Sequence, residues 1–308
     1  MKDFFGRLAR ARGSGNSDIV EKDYHLHRVL HGIAQDEHLK GNLVFKGGTC
    51  LVKAYTGYYR FSEDIDFSWK HGGDLEGKTK NKMIAICSDE ITALVSAFKG
   101  ISEKLGFRFY GDKADTEEVH ISSGGRMVDM YLRYNSEVSG LPTKIKIQVN
   151  LVDTILYPFR KLSLRSYVDG VDLEGMRVLY KEPCQEYCRP IQFECYDARE
   201  IFVEKCRAAM TRTVYKPRDV LDICIMQDKY DYSIPDYREQ IVKKTRFMLK
   251  TYRRYQENIE LVVFPDEHVF TDAEEKLLLE KPPADFKSKA TEIHRQLDEL
   301  RMDIADGP

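Results

Sequence analysis

The sequence predicts an α+β protein, in which an N-terminal domain with a mixed or antiparallel sheet is followed by a helical C-terminal domain. Four consecutive segments, FRFY, EVHISS, RMVDMYLRY and KIKIQVNL, are rich in β-branched and aromatic residues and are separated by turns, which is typical of a β-meander. From about residue 197, apolar residues recur at helical spacing almost to the end of the chain. The sheet therefore precedes the helical part.

The length and composition are those of a folded chain with two domains. The chain has 308 residues, of which 42% are hydrophobic, so it can bury a sizeable core. Residues 1–17 are basic and rich in glycine and serine, and we expect them to be flexible. We place the domain that contains the sheet at residues 18–190 and the helical domain at residues 191–308.

Charge and cysteine usage limit the classes of function. The 48 basic and 50 acidic residues nearly cancel, so nucleic-acid binding would have to come from a local basic patch. No apolar run is long enough to cross a membrane, and the N-terminus lacks the apolar segment of a secretory signal. The seven cysteines are scattered, which fits a reducing compartment. We therefore expect a cytoplasmic protein without membrane contact.

The predicted elements of the N-terminal domain follow in order. A helix begins near Asp18, where D-x-x-E resembles a capping box, and Gly41–Asn42 forms a turn before the buried strand LVFK. Thr49 opens a second helix that stops near Gly57, and FSEDIDFSW forms the next strand. An amphipathic helix then covers residues 79–105.

Two aspartates lie one residue apart in the predicted strand FSEDIDFSW. Residues i and i+2 of a strand point to the same face, so Asp64 and Asp66 project together while Ile65 and Phe67 face the core. Two adjacent carboxylates repel each other unless a cation lies between them. Because Mg²⁺ prefers a few carboxylates together with substrate phosphates, this D-x-D pattern favours a metal–nucleotide site.

A glycine pair lies at the junction of the strand LVFK and the helix that follows it. Gly47 and Gly48 allow backbone N–H groups to approach an anion closely, and the start of a helix favours a phosphate. Ser62 lies two residues before Asp64 on the same strand face, so its hydroxyl is placed to contact phosphate too. Each pattern alone is common, but the order strand, G-G-T, helix and S-x-D-x-D is specific.

This arrangement resembles the core of the DNA polymerase β-type nucleotidyltransferases. The segment FKGGTCLVKAYTGYYRFSEDIDF resembles the motif of the AbiEii/MenT-type nucleotidyltransferase toxins, and EKDYHLHRVL resembles their opening helix. Two later segments also match this family: the E-K of REIFVEKCRAAMTR, whose lysine is Lys205, and the R-D-x-x-D of KPRDVLDI, which contains Asp219 and Asp222. The resemblance covers about residues 18–225.

The resemblance implies a polymerase β-type nucleotidyltransferase domain and a role for each matching residue. Asp64 and Asp66 would bind two catalytic Mg²⁺ ions. Lys205 and Asp219 would complete the active site from the helical C-terminal domain. The residues implied in holding the phosphates of the NTP substrate are Lys46, Gly47, Gly48, Thr49 and Ser62.

One position departs from the wider superfamily, which carries a third carboxylate on a later strand. In KIKIQVNL, Lys144, Lys146, Gln148 and Asn150 share one face, and Gln148 lies where the acid is expected. An amide is a weaker metal ligand than a carboxylate, and the general base is left unassigned. Asp129 on the preceding strand is a candidate substitute, although an exposed strand acid is an equally good interpretation of it.

A basic stripe lies in the helical domain, where Arg238 to Gln256 is predicted as one helix. Its apolar positions recur at helical spacing, and its cations lie beside them on one face. Basic side chains interleaved with tyrosines suit contact with an RNA backbone, and an ordinary solvated helix face is the alternative. The cations of this stripe are Lys243, Arg246, Lys250, Arg253 and Arg254.

The resemblance implies a Mg²⁺-dependent enzyme that transfers an NMP from an NTP to the 3′ end of tRNA, thereby inhibiting translation, and that has a partner antitoxin. The same chemistry on a protein or a small molecule is a first alternative. A module that binds NTP or RNA through a decayed site is a second, which the missing third carboxylate favours.

Overall fold

The computed structural model describes residues 1–265, 267 and 270–305. The chain divides into two compact units. The first comprises Met1–Asp153 and Phe159–Cys195, and the second comprises Thr154–Pro158 together with the described part of Tyr196–Pro308. All named strands belong to the first unit. The predicted α+β class is confirmed.

The first unit contains the sheet and the helices that cover it. Its helices are α1 (Lys2–Ala11), α2 (Ser17–Gln35), α3 (Glu37–Asn42), α4 (Gly47–Cys50), α5 (Lys80–Leu105), α6 (Glu174–Leu179) and α7 (Lys181–Tyr187). A π-helical turn over Leu51–Thr56 continues α4, and a 3₁₀ turn spans Gly72–Leu75. Its strands are β1 (Leu43–Lys46), β2 (Asp64–Trp69), β3 (Val119–Ser122), β4 (Met127–Asn135), β5 (Pro142–Asn150), β6 (Arg160–Leu164) and β7 (Ile191–Cys195).

The seven strands form one mixed sheet in the order β3-β4-β5-β2-β1-β7-β6. Strands β3, β4 and β5 are antiparallel neighbours, which confirms the predicted meander. Strand β2 runs parallel to β5 and antiparallel to β1. The segment FRFY, which we expected to be a further strand, contributes only an isolated bridge between Arg108 and Arg133.

One face of the meander is buried and the other is open. Ile145, Ile147 and Val149 of β5 are fully buried, and helices α2 and α5 contact this half of the sheet. Lys146 and Gln148, which alternate with them, are only partly buried. The predicted common face of Lys144, Lys146 and Gln148 is therefore the one outside the core, because the strand has its other face in the core.

Three local predictions for the first unit differ from the structure. The N-terminus contains helix α1, in which Phe4, Phe5 and Leu8 are buried, because apolar side chains at these positions share one helix face. The predicted turn at Gly41–Asn42 is the end of α3. The predicted capping box near Asp18 is absent, because α2 begins at Ser17 and its N-cap, Asn16, makes no side-chain cap hydrogen bond.

Glu21 of α2, the acid of the predicted capping box, has a different function. Its carboxylate is buried and accepts hydrogen bonds from Ser136 Oγ at 2.6 Å and from the backbone N–H of Glu137 at 2.7 Å. A buried carboxylate requires such donors, since unsatisfied burial of a charge is costly. Glu21 therefore fixes the β4–β5 turn to α2.

The second unit is helical. It contains α8 (Ala198–Thr211), α9 (Pro217–Tyr230), α10 (Arg238–Thr251), α11 (Arg253–Leu261), α12 (Asp272–Glu275) and α13 (Phe286–Ala305). Helix α8 packs against α9, α10 and α13. The segment Thr154–Pro158 joins this unit, where the carboxylate of Glu200 accepts hydrogen bonds from the backbone N–H groups of Leu156 and Tyr157. Among the described residues no helix is both long and apolar enough to cross a bilayer.

The predicted single helix from Arg238 to Gln256 is divided at Tyr252. This residue has φ −127° and ψ 105°, an extended conformation that separates α10 from α11. Its ring is buried and lies edge-on to the ring of Tyr255, with 5.8 Å between their centroids. The prediction of one helix was wrong because the apolar spacing continues across the break as far as Ile259, which is also buried.

Candidate active site

The register of β1 and β2 brings the glycine pair to the two aspartates. The strands are antiparallel, and Lys46 at the end of β1 lies opposite Asp66 in β2. Gly47 and Gly48 follow Lys46 directly, so the turn lies beside the start of β2. Asp64 and Asp66 are both partly exposed, whereas Ile65 and Phe67 between and after them are fully buried. The carboxylates therefore share one face, as the alternation predicts.

Gly47 is in close contact with Asp66. Its φ of +78° lies in the left-handed region, and a Cβ at this position would be 2.3 Å from Asp66 Oδ2. No side chain larger than hydrogen fits this approach. The carboxylate of Asp66 is thus packed against the backbone of the glycine turn.

Gly48 is approached by two polar side chains. A Cβ here would lie 2.8 Å from Arg60 Nη2 and 3.2 Å from Ser62 Oγ. Arg60 is almost completely buried, and its Nη1 donates to the carbonyl oxygen of Phe61 at 2.7 Å. Arg60 belongs to the segment FKGGTCLVKAYTGYYRFSEDIDF, in which the sequence alone assigned it no role. The structure places its guanidinium beside the glycine turn.

The Thr49 hydroxyl ties the turn to β2. It is buried, hydrogen-bonds to the backbone carbonyl of Asp64 and lies 2.8 Å from Ser62 Oγ. A hydroxyl has one donor and two acceptor positions, so Thr49 donates to the carbonyl and accepts from Ser62. These bonds fix the start of β2 relative to Gly48.

Lys46, at the end of β1, forms a buried ion pair in the structure. Its Nζ is 3.1 Å from Oδ2 of Asp153, a carboxylate that also accepts a hydrogen bond from Ser68 Oγ at 2.9 Å. All three residues are buried. The ammonium is thus engaged in a buried ion pair, and sequence reasoning missed Asp153. The signal in the sequence was an acid directly after the apolar pair Leu151–Val152, which follows β5.

A row of polar residues crosses three strands beside Asp66 and includes Gln148, the position where a third carboxylate is expected. Asp66 of β2 lies opposite Gln148 of β5, which lies opposite Asp129 of β4. Gln148 Nε2 donates to Asp129 Oδ1 at 2.6 Å, and Lys146 Nζ is 2.9 Å from Asp129 Oδ2. Asp129 is 7% exposed, so the interpretation as an exposed strand acid is wrong.

Asp129 determines the orientation of the Gln148 amide and the protonation of Lys146. A carboxylate accepts hydrogen bonds, so the amide nitrogen of Gln148 faces Asp129. Burial by itself lowers the pKa of Lys146, but the hydrogen bond and the charge of Asp129 raise it above its ordinary value. Lys146 is therefore a firmly protonated cation beside the row.

A second charged cluster lies within the helical unit. Lys205 Nζ is 2.7 Å from Asp219 Oδ1 and 2.6 Å from Asp222 Oδ2, and Asp219 also pairs with Arg212. Lys205 is 9% exposed and Asp222 is fully buried. Lys205 is thus not a solvated helix lysine. Asp219 lies in the first turn of α9 after Pro217, where the helix dipole also favours an acid.

The carboxylate pair is compatible with Mg²⁺. The described residues contain no group of three His, Cys, Asp or Glu side chains that could hold a metal ion by themselves. Mg²⁺ is commonly held by one or two carboxylates, with substrate phosphates and water as the remaining ligands. Asp64 and Asp66, partly exposed on one strand face, offer that donor set.

The cations of the basic stripe are accessible. Lys243, Arg246 and Lys250 of α10 are exposed, as are Arg253 and Arg254 of α11. Ile241, Thr245, Met248 and Tyr252 are buried, which agrees with the predicted apolar stripe. The break at Tyr252 places the last two cations on a separate helix.

Comparison with known proteins gives both the class and the family. A family model described as "Nucleotidyl transferase AbiEii toxin, Type IV TA system" matches residues 28–304. The chain belongs to this family and is therefore a nucleotidyltransferase toxin of a toxin–antitoxin system. The predicted resemblance, which covered about residues 18–225, is confirmed, and the match continues to residue 304.

Similar solved structures come from Helicobacter pylori. JHP933 is 16% identical, with 94% of this chain and 97% of that chain covered and a TM-score of 0.44. A proposed nucleotidyltransferase is 17% identical, with 89% and 94% covered and a TM-score of 0.41. The sequence has no match among curated proteins.

We expect Gly47→Ala to lower both stability and nucleotide transfer. The new Cβ would overlap with Asp66 Oδ2, and the left-handed backbone costs a non-glycine residue about 1–2 kcal/mol. Thermal unfolding and transfer assays measure the two effects. Gly73→Ala is the matched control, because a Cβ there meets no atom within 4 Å. Wild-type behaviour of Gly47→Ala would contradict the close approach.

Proposed function

We propose that the protein uses Mg²⁺ to transfer an NMP from an NTP to the 3′ end of tRNA. Nucleotides added there block aminoacylation, so translation stops until the cognate antitoxin intervenes. The observation that carries the proposal is the packing of Asp66 against the Gly47–Gly48 turn, which unites metal-binding and phosphate-binding groups. We further propose that the first unit has a polymerase β-type core and that the protein acts in the cytoplasm.

In this proposal the glycine turn receives the triphosphate. The backbone of Gly47 and Gly48 permits close approach of phosphate oxygens, and Ser62 and Arg60 lie at the same turn. Thr49 acts by holding Ser62 and the start of β2 in place. Two Mg²⁺ ions bound by Asp64 and Asp66 would stabilise the attacking and leaving oxygens.

We assign Lys46 a supporting role in place of direct phosphate contact. Its ion pair with Asp153 fixes the end of β1, from which the glycine turn departs. Breaking a buried ion pair by removing one partner costs about 3–5 kcal/mol. The ammonium of Lys46 is therefore better suited to stabilise the glycine turn than to move into contact with a substrate phosphate.

We retain Lys205 and Asp219 as catalytic residues on the strength of the family resemblance. A lysine suits a triphosphate as a point charge, and its ion pairs with Asp219 and Asp222 fix the position of the ammonium. Asp222 is the deepest member of this cluster. We propose that it orients Lys205.

A second candidate function is binding of NTP or RNA without turnover. It is favoured by Gln148, which occupies the position of the third carboxylate opposite Asp66. Asp129, one strand further on, is held by Lys146 and Gln148. We favour catalysis, since two carboxylates and a triphosphate can complete a Mg²⁺ site.

The test incubates the protein with each labelled NTP and bulk tRNA, followed by a denaturing gel. We expect one or more NTPs to label tRNA in the presence of Mg²⁺ and no labelling with EDTA. Label on a protein or small molecule instead would replace tRNA as the acceptor. Binding without label transfer in any fraction would support the second candidate.

The basic stripe yields a separate prediction about RNA affinity. If its cations contact phosphates, replacing Lys243, Arg246, Lys250 and Arg254 with glutamine should weaken tRNA binding. Each lost contact should reduce the slope of log affinity against log salt by roughly 0.7–0.9. The effect should be uniform across tRNA sequences, because phosphate contacts position an RNA without specifying its sequence.

The control for this prediction is the double variant Lys281→Gln/Lys287→Gln. Both lysines are exposed and belong to the same unit, so it removes charge without touching the stripe. Binding is measured over a salt series. An unchanged slope in the stripe variant would mean that the stripe is a solvated helix face.

A further inference from the structure

Three cations stand side by side on the open face of the meander. Arg108 and Arg133 face each other in a bridge closed by two backbone hydrogen bonds of 2.8 and 3.1 Å. Arg133 in turn lies opposite Lys144 of β5. Residues directly opposite each other in antiparallel strands project to the same face, with Cβ atoms about 5 Å apart. The three side chains therefore form one row.

A row of three cations destabilises the folded protein when no anion is bound to it, because like charges directly opposite each other repel. Arg133 lies 3.2 Å from Oε2 of Glu117, an exposed rim carboxylate. Lys144 Nζ lies 4.2 Å from the ring centroid of Tyr131. In the part of the chain that the structure describes, neither Lys144 nor Arg108 has an ion-pair partner. Both are exposed. The row is thus largely uncompensated and open to solvent.

This row is continuous with the carboxylate pair. Asp64 lies opposite Lys146, which lies opposite Tyr131, and this second row is two residues along the strands from the first. Two residues span about 6.7 Å, and neighbouring strands are about 4.8 Å apart. The opposite face is closed, because Leu132 and Ile145 are fully buried. A chain lying along this face can therefore reach Asp64.

We propose that this cationic sheet face, defined by Arg108, Tyr131, Arg133 and Lys144, binds the single-stranded 3′ end of the acceptor RNA. The proposal rests on the proposed function and names the surface that presents the reacting end. The three cations contact consecutive backbone phosphates, and the ring of Tyr131 stacks with a base when Lys144 turns to a phosphate. Aromatic rings on an open sheet face, flanked by positive charge, suit unpaired nucleotides.

The chemistry of this face favours RNA over a protein partner. The row offers three positive charges and one partly exposed ring. Protein interfaces have an apolar, charge-depleted centre, whereas nucleic-acid affinity comes from neutralised phosphates. Its role also differs from that of the basic stripe, because the sheet face adjoins the metal-binding carboxylates of its own unit.

The test compares Arg133→Gln/Lys144→Gln with the control Lys99→Gln/Lys104→Gln. The control lysines are exposed on α5, the helix that packs against the closed face. Affinity for a short single-stranded RNA with a free 3′ hydroxyl is measured over a salt series. We expect the first variant to reduce the slope by about 1.4, which corresponds to roughly 0.7 for each phosphate contact on a single strand. The control keeps the wild-type slope.

A second pair of variants tests stacking on Tyr131. Tyr131→Leu should lower single-stranded RNA affinity about tenfold, the order of one lost stacking contact. Tyr131→Phe should restore it, because the ring is kept. Duplex RNA of the same length should be little affected by Tyr131→Leu. Equal loss for duplex and single strand, or no rescue by phenylalanine, would overturn the stacking role.

The outcomes separate this proposal from the proposed function. If wild-type protein labels RNA but the Arg133/Lys144 variant has the control's slope, the sheet-face proposal is overturned and the function stands. If RNA is never labelled yet the slope depends on these two residues, the face stands as an RNA site and the function falls. If the variant affects only labelling of a protein, the face binds a protein and the RNA proposal is overturned.

Discussion

Asp64→Asn and Asp66→Asn should each reduce nucleotide transfer by about a thousandfold or more while the protein remains folded. Each asparagine keeps the shape of the side chain and removes one of the two charges that would hold Mg²⁺. A catalytic metal supplies several kcal/mol of transition-state stabilisation, and each 1.36 kcal/mol changes a rate tenfold. Single-turnover transfer at saturating NTP measures the loss.

The unfolding free energy of these variants should equal or exceed that of the wild type in the absence of metal. Both carboxylates lie on one strand face, and removing one relieves like-charge repulsion. Asp89→Asn on α5 is the control, because Asp89 is exposed and lies outside the site. Transfer by Asp64→Asn at near the wild-type rate would show that the metal assignment is wrong.

Among the predicted substitutions, Lys205→Met should have the second-largest effect. It should lower both the stability and the activity of the protein. The change leaves Asp222 buried without the lysine 2.6 Å away and leaves Asp219 with one cation fewer. Uncompensated burial of a charge costs about 3–5 kcal/mol. Loss of an electrostatic contact to the transition state lowers kcat by about a hundredfold. Denaturant unfolding and kcat/KM measure the two effects.

A double variant separates the two roles of Lys205. In Lys205→Met/Asp222→Asn the buried charge of Asp222 is removed together with that of Lys205, so part of the lost stability should return while activity stays low. Lys287→Met, an exposed position on α13, serves as the control for a lysine-to-methionine change. Full recovery of activity in the double variant would make Lys205 a purely structural residue. Wild-type stability of Lys205→Met would contradict the buried cluster.

Local patterns in the sequence were sufficient to predict how the central residues of the candidate site are arranged. Strand alternation predicted that Asp64 and Asp66 share a face while Ile65 and Phe67 face the core, and both apolar residues are fully buried. The strand-to-helix order placed the glycine pair at the end of β1. These are relations between residues close in the chain, where backbone geometry alone fixes the direction of each side chain.

Relations between distant residues were not predictable in the same way. The pairing of Lys46 with Asp153 and the bonds of Asp129 with Gln148 and Lys146 depend on strand order and register. A register shift of one residue would move every side chain to the other face. The sequence gives no direct measure of register, so the role of Asp129 was left between two interpretations until the β4–β5 pairing was known.

Helix boundaries were also only partly predictable. The division at Tyr252 leaves the apolar spacing intact, so periodicity could not reveal it. Helix α1 was missed because glycine, serine and arginine dominated the composition of residues 1–17, whereas Phe4, Phe5 and Leu8 form its buried face. In both cases tertiary packing decided the local structure, as it commonly overrides propensity.

The central claim is that Asp64 and Asp66 direct transfer of an NMP from an NTP to an RNA 3′ end. The most direct measurement compares NTP labelled at the α-phosphate with NTP labelled at the γ-phosphate, using tRNA with an intact or a periodate-oxidised 3′ end. We predict that only the α label enters tRNA, only when the 3′ end is intact, and not with Asp64→Asn. Incorporation of the γ label, or equal labelling by Asp64→Asn, would contradict the account.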